Sequence, residues 1–580
     1  MSGICGFVGD ADRTVLDEML GAIDYRGDRT DVATAPGFGV GYRWWGGRPG
    51  KSPGIHRAGA HLVACAGTLA PPVPSPAATL LDMLGGRALG SLDGAFAAAW
   101  WDGERATLTL IRDPFGVRSL YYVEHRGVLY FASELKQLLA IPDLPVQLDA
   151  AAVHKYLTFS FVPGEDVPIR GVRRLLPGRV ATRHGGRLDI TPYFALTESI
   201  DPALEDRRAA VAAIRRHVEE AIERRLNGEG EVGLYLSGGI DSSAVAVWLK
   251  NAGVPVRAFS LDFGERSVEK PQAQRVADHL EIPLAFLPVG GADVADIFLD
   301  LVWKLDLPFG DPVTGPQSVL GRAAREAGLA AVFNGEGGDQ LFGGWTSKPM
   351  VAAEIYAGLY AEDTRDETYL RSYHRFYGRE DQLYTADFRA AVGGPGQRRA
   401  LLRPYLESEH ARSFLARVRL ADIALKGCQN ILPRAERMAN AWGLDVRVPL
   451  FDRALAETSF TIPPQLKLRG ATEKYVLKLA LARHLPPDIV WRRKFGMSVP
   501  ITEWALGPLA GLLEDLLGPR SLASRGLFRD AYVGRLRRGQ NDPHETRRRR
   551  IGERLWTLAA LEGWLRVFVD GRGRRPGAPR

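Results

Sequence analysis

From residue 1 to about residue 193, apolar positions fall in short alternating runs broken by Gly, Pro and Asp turns. His61–Cys65, Ala95–Trp100, Thr107–Arg112 and Val128–Ala132 read as strands. Alternation places every second side chain on one face, so this part predicts a mostly antiparallel, two-layer β arrangement flanked by helices. The stretch Pro71–Pro76 is excluded from a central strand, because proline brings no N–H to the ladder. Near residue 208 the period changes. A long helical pattern from Arg208 leads into Val232–Tyr235, which reads as a buried strand, and Ala244–Leu249 reads as the start of a helix. Val256–Leu261 follows as a strand, Gln272–Leu280 as a helix and Ala330–Phe333 as a further strand. Strand–helix alternation with short connections predicts a parallel sheet covered on both faces. Beyond residue 350 the pattern is mainly helical. The expected organisation is a first domain over 1–194, a polar linker over 195–210, a second domain over 211–565 and a tail over 566–580. The tail is rich in Gly, Pro and Arg, which predicts disorder.

Composition narrows the class. A chain of 580 residues, 46% hydrophobic and 25% charged, suits two to four globular domains. No apolar stretch is suited to spanning a bilayer, and MSGICGFVGD lacks the basic and apolar regions of a signal peptide. Cys5, Cys65 and Cys428 are odd in number and far apart, so neither a disulfide framework nor a zinc site is expected, and a cytoplasmic location fits. The net charge of +7 is uneven: Arg547–Arg550 and the tail carry much of it. Such runs are ordinarily solvated surface, so they say little for RNA or an acidic partner, and nucleic acid is not expected; they could also serve a peptide substrate carrying carboxylates.

Two loops carry the chemistry. Leu236-Ser237-Gly238-Gly239-Ile240-Asp241-Ser242-Ser243 joins a strand to a helix N-terminus. Glycines let backbone approach a ligand, and successive N–H groups face an anion at the positive end of the helix. Ser237, Ser242 and Ser243 add hydroxyls, and Asp241 adds a carboxylate suited to Mg²⁺, so the expected ligand is a pyrophosphate group. The second loop, Phe333-Asn334-Gly335-Glu336-Gly337-Gly338-Asp339, again follows an apolar run. Two carboxylates beside a triphosphate repel it unless a cation lies between them. One solution has Asp339 share Mg²⁺ with Asp241 while Glu336 faces the reacting centre.

Here the chain resembles the PP-loop ATP pyrophosphatases and, within them, the synthetase domain of glutamine-dependent asparagine synthetases. Met438–Asp452, Glu473-Lys474 and Leu485–Lys494 resemble that family's later segments; Leu92–Ala97, Arg112–Tyr122 and Phe131–Lys136 resemble its glutaminase domain. The resemblance implies an α/β protein: an N-terminal Ntn-hydrolase-like αββα sandwich, then a PP-loop parallel-sheet domain with a helical C-terminal part. It implies that ATP is cleaved to AMP and pyrophosphate, with Mg²⁺. It assigns ATP and pyrophosphate binding to Leu236, Ser237, Gly238, Gly239, Asp241, Ser242, Ser243, Leu261, Asn334, Gly335 and Lys474, metal binding to Asp241 and Asp339, and catalysis to Glu336 and Lys494. A fixed ammonium at Lys494 would stabilise charge building on the α-phosphate.

The family pattern breaks in the first domain. The family exposes a nucleophilic cysteine at position 2, where this chain has Ser2, and an alcohol is a far weaker nucleophile at neutral pH. The segment that holds glutamine corresponds to Ala66–Pro71, without its Asn and Glu; the acidic position falls near Ser75–Ala78, and the arginine position on or near Trp44. Taking Cys5 as the nucleophile would require cleavage after Ile4 and would still lack the Asn/Glu pair. The expectation is a first domain that keeps its fold and does not hydrolyse glutamine. Lasso-peptide cyclases and β-lactam synthetases share such an architecture, though β-lactam synthetases carry a tyrosine where this chain has Glu336. The leading reading is therefore an AMP-forming amide ligase acting in peptide or specialised-metabolite cyclisation. Asparagine formation and a tRNA-modifying PP-loop enzyme are the alternatives. Expected partners are a carboxylate-bearing small molecule or peptide and an amine; a homodimer and a precursor-peptide or pathway partner stay open.

Overall fold

A computed structural model describes residues 2–46, 54–85, 89–344, 349–352, 364–394, 396–493, 496, 498–541 and 547–577. Lys494 lies outside these residues.

The first domain holds strands β1 (Ser2–Val8), β2 (Arg29–Ala35), β3 (Phe38–Trp44), β4 (Ile55–Ala58), β5 (His61–Leu69) and β6 (Gly94–Asp102). They are followed by β7 (Thr107–Arg112), β8 (Tyr121–His125), β9 (Val128–Ala132), β10 (Arg173–Arg174), β11 (Arg179–His184) and β12 (Arg187–Pro192). Two six-stranded antiparallel sheets result, ordered β10-β8-β9-β1-β3-β2 and β12-β11-β7-β6-β5-β4. Alternation builds the layers. Ile4 of β1 packs with Leu62 and Ala64 of β5 between the sheets, while Cys5 and Phe7 face Leu16 and Leu20 of the helix Thr14–Gly21. Val63 and Cys65 turn to the opposite side, onto Leu80 of the helix Pro76–Gly85. The outcome is the expected αββα sandwich.

The second domain contains β13 (Val232–Tyr235), β14 (Val256–Asp262), β15 (Leu284–Pro288), β16 (Ala331–Phe333) and β17 (Asp445–Arg447) in one parallel sheet ordered β15-β14-β13-β16-β17. Both faces are covered. Val232 and Leu234 pack with Trp248 and Ile214 on one side, and Phe259 and Val332 with Leu301 and Leu320 on the other. Strand order reverses at β13, so a crevice opens beyond the carboxyl ends of β13 and β16. Both glycine-rich loops lie there.

Three differences from expectation have physical causes. The 195–210 segment is no slack linker. Glu198 is buried and accepts hydrogen bonds from Arg412 N and Ser413 N at 2.7 Å and from Ser413 Oγ at 2.6 Å, and the following helix already begins at Arg207. The tail is not disordered from residue 566. Val567 and Phe568 are buried, the Trp303 indole donates to Gly573 O at 2.9 Å, and Arg572 donates to Leu144 O at 3.1 Å, so 566–577 is docked on both domains. Finally β17 lies within a stretch expected to be mainly helical. With only Val446 packed between two charged neighbours, it shows no usable periodicity.

No helix among the described residues is long and apolar enough to cross a membrane.

Candidate active site

The loop after β13 turns at Gly238, whose φ is +68°. A Cβ there would stand 2.4 Å from Ala273 N and 2.5 Å from Gln272 C, so only glycine fits. Gly239 is the N-cap of the helix Ile240–Asn251. Ser242 Oγ folds back over the turn, accepting from Ser237 N at 3.2 Å and donating to Gly239 O at 3.1 Å. The first-turn N–H groups of a helix have no intrahelical acceptor, so the cradle offers donors to an anion.

The loop after β16 approaches this cradle closely. A Cβ on Gly335 would lie 2.4 Å from Ser242 N, and one on Gly338 2.0 Å from Asp241 Oδ1. These absent side chains let two carboxylates from separate loops meet one cation. The Lys474 ammonium donates to Asp241 Oδ2 and lies 2.8 Å from Asp339 Oδ1. Lys474 is 1% exposed and adopts a left-handed conformation (φ +53°) at the start of the helix Tyr475–Leu481. Burial opposes its charge, but the Asp241 and Asp339 carboxylates outweigh that and hold the ammonium well above its ordinary range.

A cavity of about 240 Å³ opens beside this triad. From the β13 loop it is lined by Leu236, Ser237, Gly239, Asp241 and Ser242; Leu261 of β14 forms a wall. From the β16 loop come Asn334, Gly335, Glu336 and Asp339, and Lys474 closes the floor. Gly238 instead turns against Ala273, and Ser243 is fully buried behind the loop. Arg266, Gln317 and Lys478 also line the cavity, and sequence reasoning did not single them out. Lys478 had a signal: it is one helical turn beyond Lys474, on the same face.

The donor set fits Mg²⁺. Two carboxylates sit at the 237–243 loop, and Asp241 Oδ1 is buried with no hydrogen-bond partner among the described residues. Glu336 stands at the opposite edge. Its backbone N–H donates to Asn334 Oδ1 at 3.0 Å, and its carboxylate lies 3.8 Å from Arg434 NH2. Arg434, on the helix Leu432–Asn440, also donates from NH1 to Asp311 Oδ2 at 2.7 Å. Sequence reasoning missed both Arg434 and Asp311.

The same helix faces the first domain. Glu436 accepts from Arg26 NH1 at 2.8 Å and from Arg118 NH1 at 2.5 Å, and Arg26 NH1 in turn donates to Ser2 O at 3.4 Å. Burial alone would raise the Glu436 carboxyl, but Arg26 and Arg118 bring it down to about 2. Glu134, Lys136, Asp306 and Arg437 extend this buried lattice between the domains.

Ser2 is 2% exposed, and its Oγ accepts from Gly67 N at 3.1 Å. Trp44 stands opposite Ser2 across the β1–β3 ladder. Cys5 is fully buried in mid-strand, paired with Gly41 and Ala132, and burial pushes its thiol up. Cleavage after Ile4, which Cys5 as nucleophile would require, would remove Ser2, Gly3 and Ile4 from their pairing with β3.

A family model described as asparagine synthase matches residues 213–566. The chain belongs to the asparagine synthase family. A second model, described as a glutamine amidotransferase domain, matches residues 78–194. Among relatives, asparagine synthetase [glutamine-hydrolyzing] 1 of Bacillus subtilis is 24% identical over 510 residues, covering 84% of this chain and 79% of the relative. A putative asparagine synthetase [glutamine-hydrolyzing] of Mycobacterium tuberculosis is 28% identical over 519 residues, covering 84% and 78%. The amidase chyE of Penicillium rubens is 26% identical over 512 residues, covering 75% and 74%. As a family member the chain is an ATP-dependent carbon–nitrogen ligase that forms amides.

Proposed function

We propose that this asparagine synthase family member adenylates a substrate carboxylate and passes the acyl group to an amine, in cyclisation of a peptide or specialised metabolite. A carboxylate oxygen attacks the α-phosphorus of ATP; the bond to the β-phosphate breaks and pyrophosphate leaves. The amine nitrogen then attacks the acyl carbon, the acyl–oxygen bond breaks and AMP leaves with the electron pair. One observation carries this reading: Asp241 and Asp339 converge from two loops on Lys474 beside the 237–243 cradle.

In this reading Ser237, Gly239 and Ser242 hold the outgoing phosphates through backbone and hydroxyl donors. Mg²⁺ held by Asp241 and Asp339 would neutralise their charge. Lys474 supplies fixed positive charge beside these carboxylates, and Lys494, outside the described residues, keeps the proposed role at the α-phosphate. Glu336 takes the proton released as the amine nitrogen becomes an amide.

The amine does not come from glutamine in this proposal. Ser2 offers an alcohol for a thiol, its Oγ is occupied by Gly67 N–H, and Ala66–Pro71 brings no amide or carboxylate to hold the amino acid. An unpartnered zwitterion there would cost several kcal/mol. The relatives named asparagine synthetases [glutamine-hydrolyzing] support a second reading, formation of asparagine from aspartate with ammonia or glutamine.

ATP–pyrophosphate exchange with a panel of amino acids and acidic peptides tests the proposal. Exchange dependent on one acid, followed by AMP release when an amine is added, supports it. Exchange with aspartate alone, and asparagine as product, selects the second reading.

A further inference from the structure

Among the described residues, the cations that line the cavity are Arg266, Lys474, Lys478, Arg492 and Arg493. Lys474 meets two carboxylates, Asp241 and Asp339, and Arg266 lies 3.7 Å from Glu503 Oε1. Lys478 is 4% exposed, and its Nζ stands 3.7 Å from Glu473 Oε1. Arg492 and Arg493 bring two more positive charges to the wall of the same cavity.

Arg492 and Arg493 lie on a connection without regular secondary structure, so neighbouring elements must fix them. The segment before them is well anchored. Pro487–Val490 forms one helical turn, which Trp491 N closes by donating to Pro487 O at 2.9 Å. Ile489 and Val490 are buried in the same apolar cluster as Val476 and Leu477 of the helix Tyr475–Leu481. The Trp491 ring sits 6.2 Å from that of Tyr475. A polar contact carries this anchoring one residue further: the Lys478 ammonium donates to Arg492 O at 3.4 Å. Burying a lysine is costly unless its ammonium is paired, which keeps Nζ on Glu473 and this carbonyl. Lys474 and Lys478 stand one helical turn apart. One meets Asp241 and Asp339, the other meets the Arg492 backbone, so a single short helix relates the two groups.

We propose that Lys478 is a positioning residue for adenylation: by pinning the Arg492 carbonyl it holds the basic run Arg492-Arg493 against the cavity that takes the phosphates. This rests on the adenylation reading and adds how that site keeps its outer cations in place. Lys478 acts through the backbone of the run and does not itself touch ATP.

The test is ATP–pyrophosphate exchange on the full chain, with the acid that wild-type enzyme activates best. Lys478→Met keeps most of the buried stem and removes the donor. It is expected to lower kcat for exchange by about 10–100-fold, the scale of a small misplacement of a charged group, with KM for ATP within about twofold of wild type. Lys478→Arg keeps a cationic donor and is expected to return kcat to within about threefold of wild type. The decisive arm repeats Lys478→Met in an Arg492→Ala/Arg493→Ala background. That background keeps the Arg492 carbonyl and loses the two charges, so Lys478→Met should cost less than about twofold further there. An equal loss in both backgrounds would make Lys478 a purely structural cation and overturn the proposal. A raised KM for ATP with kcat unchanged would make it an ATP ligand and overturn it as well. So would wild-type exchange in the Arg492→Ala/Arg493→Ala enzyme. These results leave adenylation standing, whereas absence of wild-type exchange with every acid in the panel overturns both.

Discussion

The Lys474 ammonium lies 2.8 Å from Asp339 Oδ1 while it also donates to Asp241, so residues 233 positions apart in sequence share one charge. This relation places two carboxylates beside the 237–243 loop with their mutual repulsion offset by the ammonium. Replacing Lys474 by Met is expected to cost about 10²–10³ in kcat, the scale for removing a preorganised charge from a transition state. Steady-state kinetics with pyrophosphate detection measures it. The folded-state pKa of Lys474 is raised, so its contribution is complete below the unfolded value of about 10.4 and is lost only as pH rises through the folded value. No limb of the pH–rate profile between about pH 6 and 9 should then belong to this lysine.

Glu336→Gln separates the two half-reactions. It should leave ATP–pyrophosphate exchange nearly intact and slow amide formation by about 10²–10⁴, the usual span for a removed general base. Single-turnover amide formation after preformation of the adenylate reads the difference. An equal loss in both steps would place Glu336 in adenylation instead.

Glu436 gives the interface an acid limit. Its carboxyl is held down at about 2 by Arg26 and Arg118. A depressed carboxyl contributes stability above the unfolded pKa, about 4.3, and loses it as pH falls through the folded value. Unfolding free energy should fall by roughly 3 kcal/mol between those values from this group alone. Glu436→Gln should flatten that part of the stability–pH curve and destabilise the protein at neutral pH, because Arg26 and Arg118 lose their shared partner. Urea unfolding across pH 2–6 checks both signs.

Ser2→Ala should leave amide formation with a supplied amine within about twofold of wild type, as expected of a substitution remote from the reaction. Ser2→Cys should not release glutamate from glutamine, since the missing partners at Ala66–Pro71 are not restored. Glutamate production by Ser2→Cys would show that the first domain still binds glutamine.

Much of this architecture was legible in the sequence because it follows from local rules. Period-two runs such as Thr107–Arg112 and the glycine-rich junctions at 236–243 and 333–339 specify strand and turn without help from distant residues. The carboxylates Asp241, Glu336 and Asp339 stand on those junctions and were found with them. Arg434 was not, because it belongs to no motif and helix Leu432–Asn440 is buried along its whole length, so no amphipathic face marks it. Only the fold aims Arg434 at Glu336 and Glu436 at Arg26. The tail misled for a related reason: Arg572 and Gly573 have a disordered composition, yet a Trp303 indole and a Leu144 carbonyl far upstream hold them.

The most direct test of the adenylation chemistry follows oxygen. Substrate labelled with ¹⁸O in its reacting carboxylate should transfer one labelled oxygen to the phosphate of AMP, with unlabelled pyrophosphate, when mass spectrometry reads the nucleotide product. Formation of ADP, or label in inorganic phosphate, would contradict attack at the α-phosphorus and with it the proposed roles of Asp241, Asp339 and Lys474.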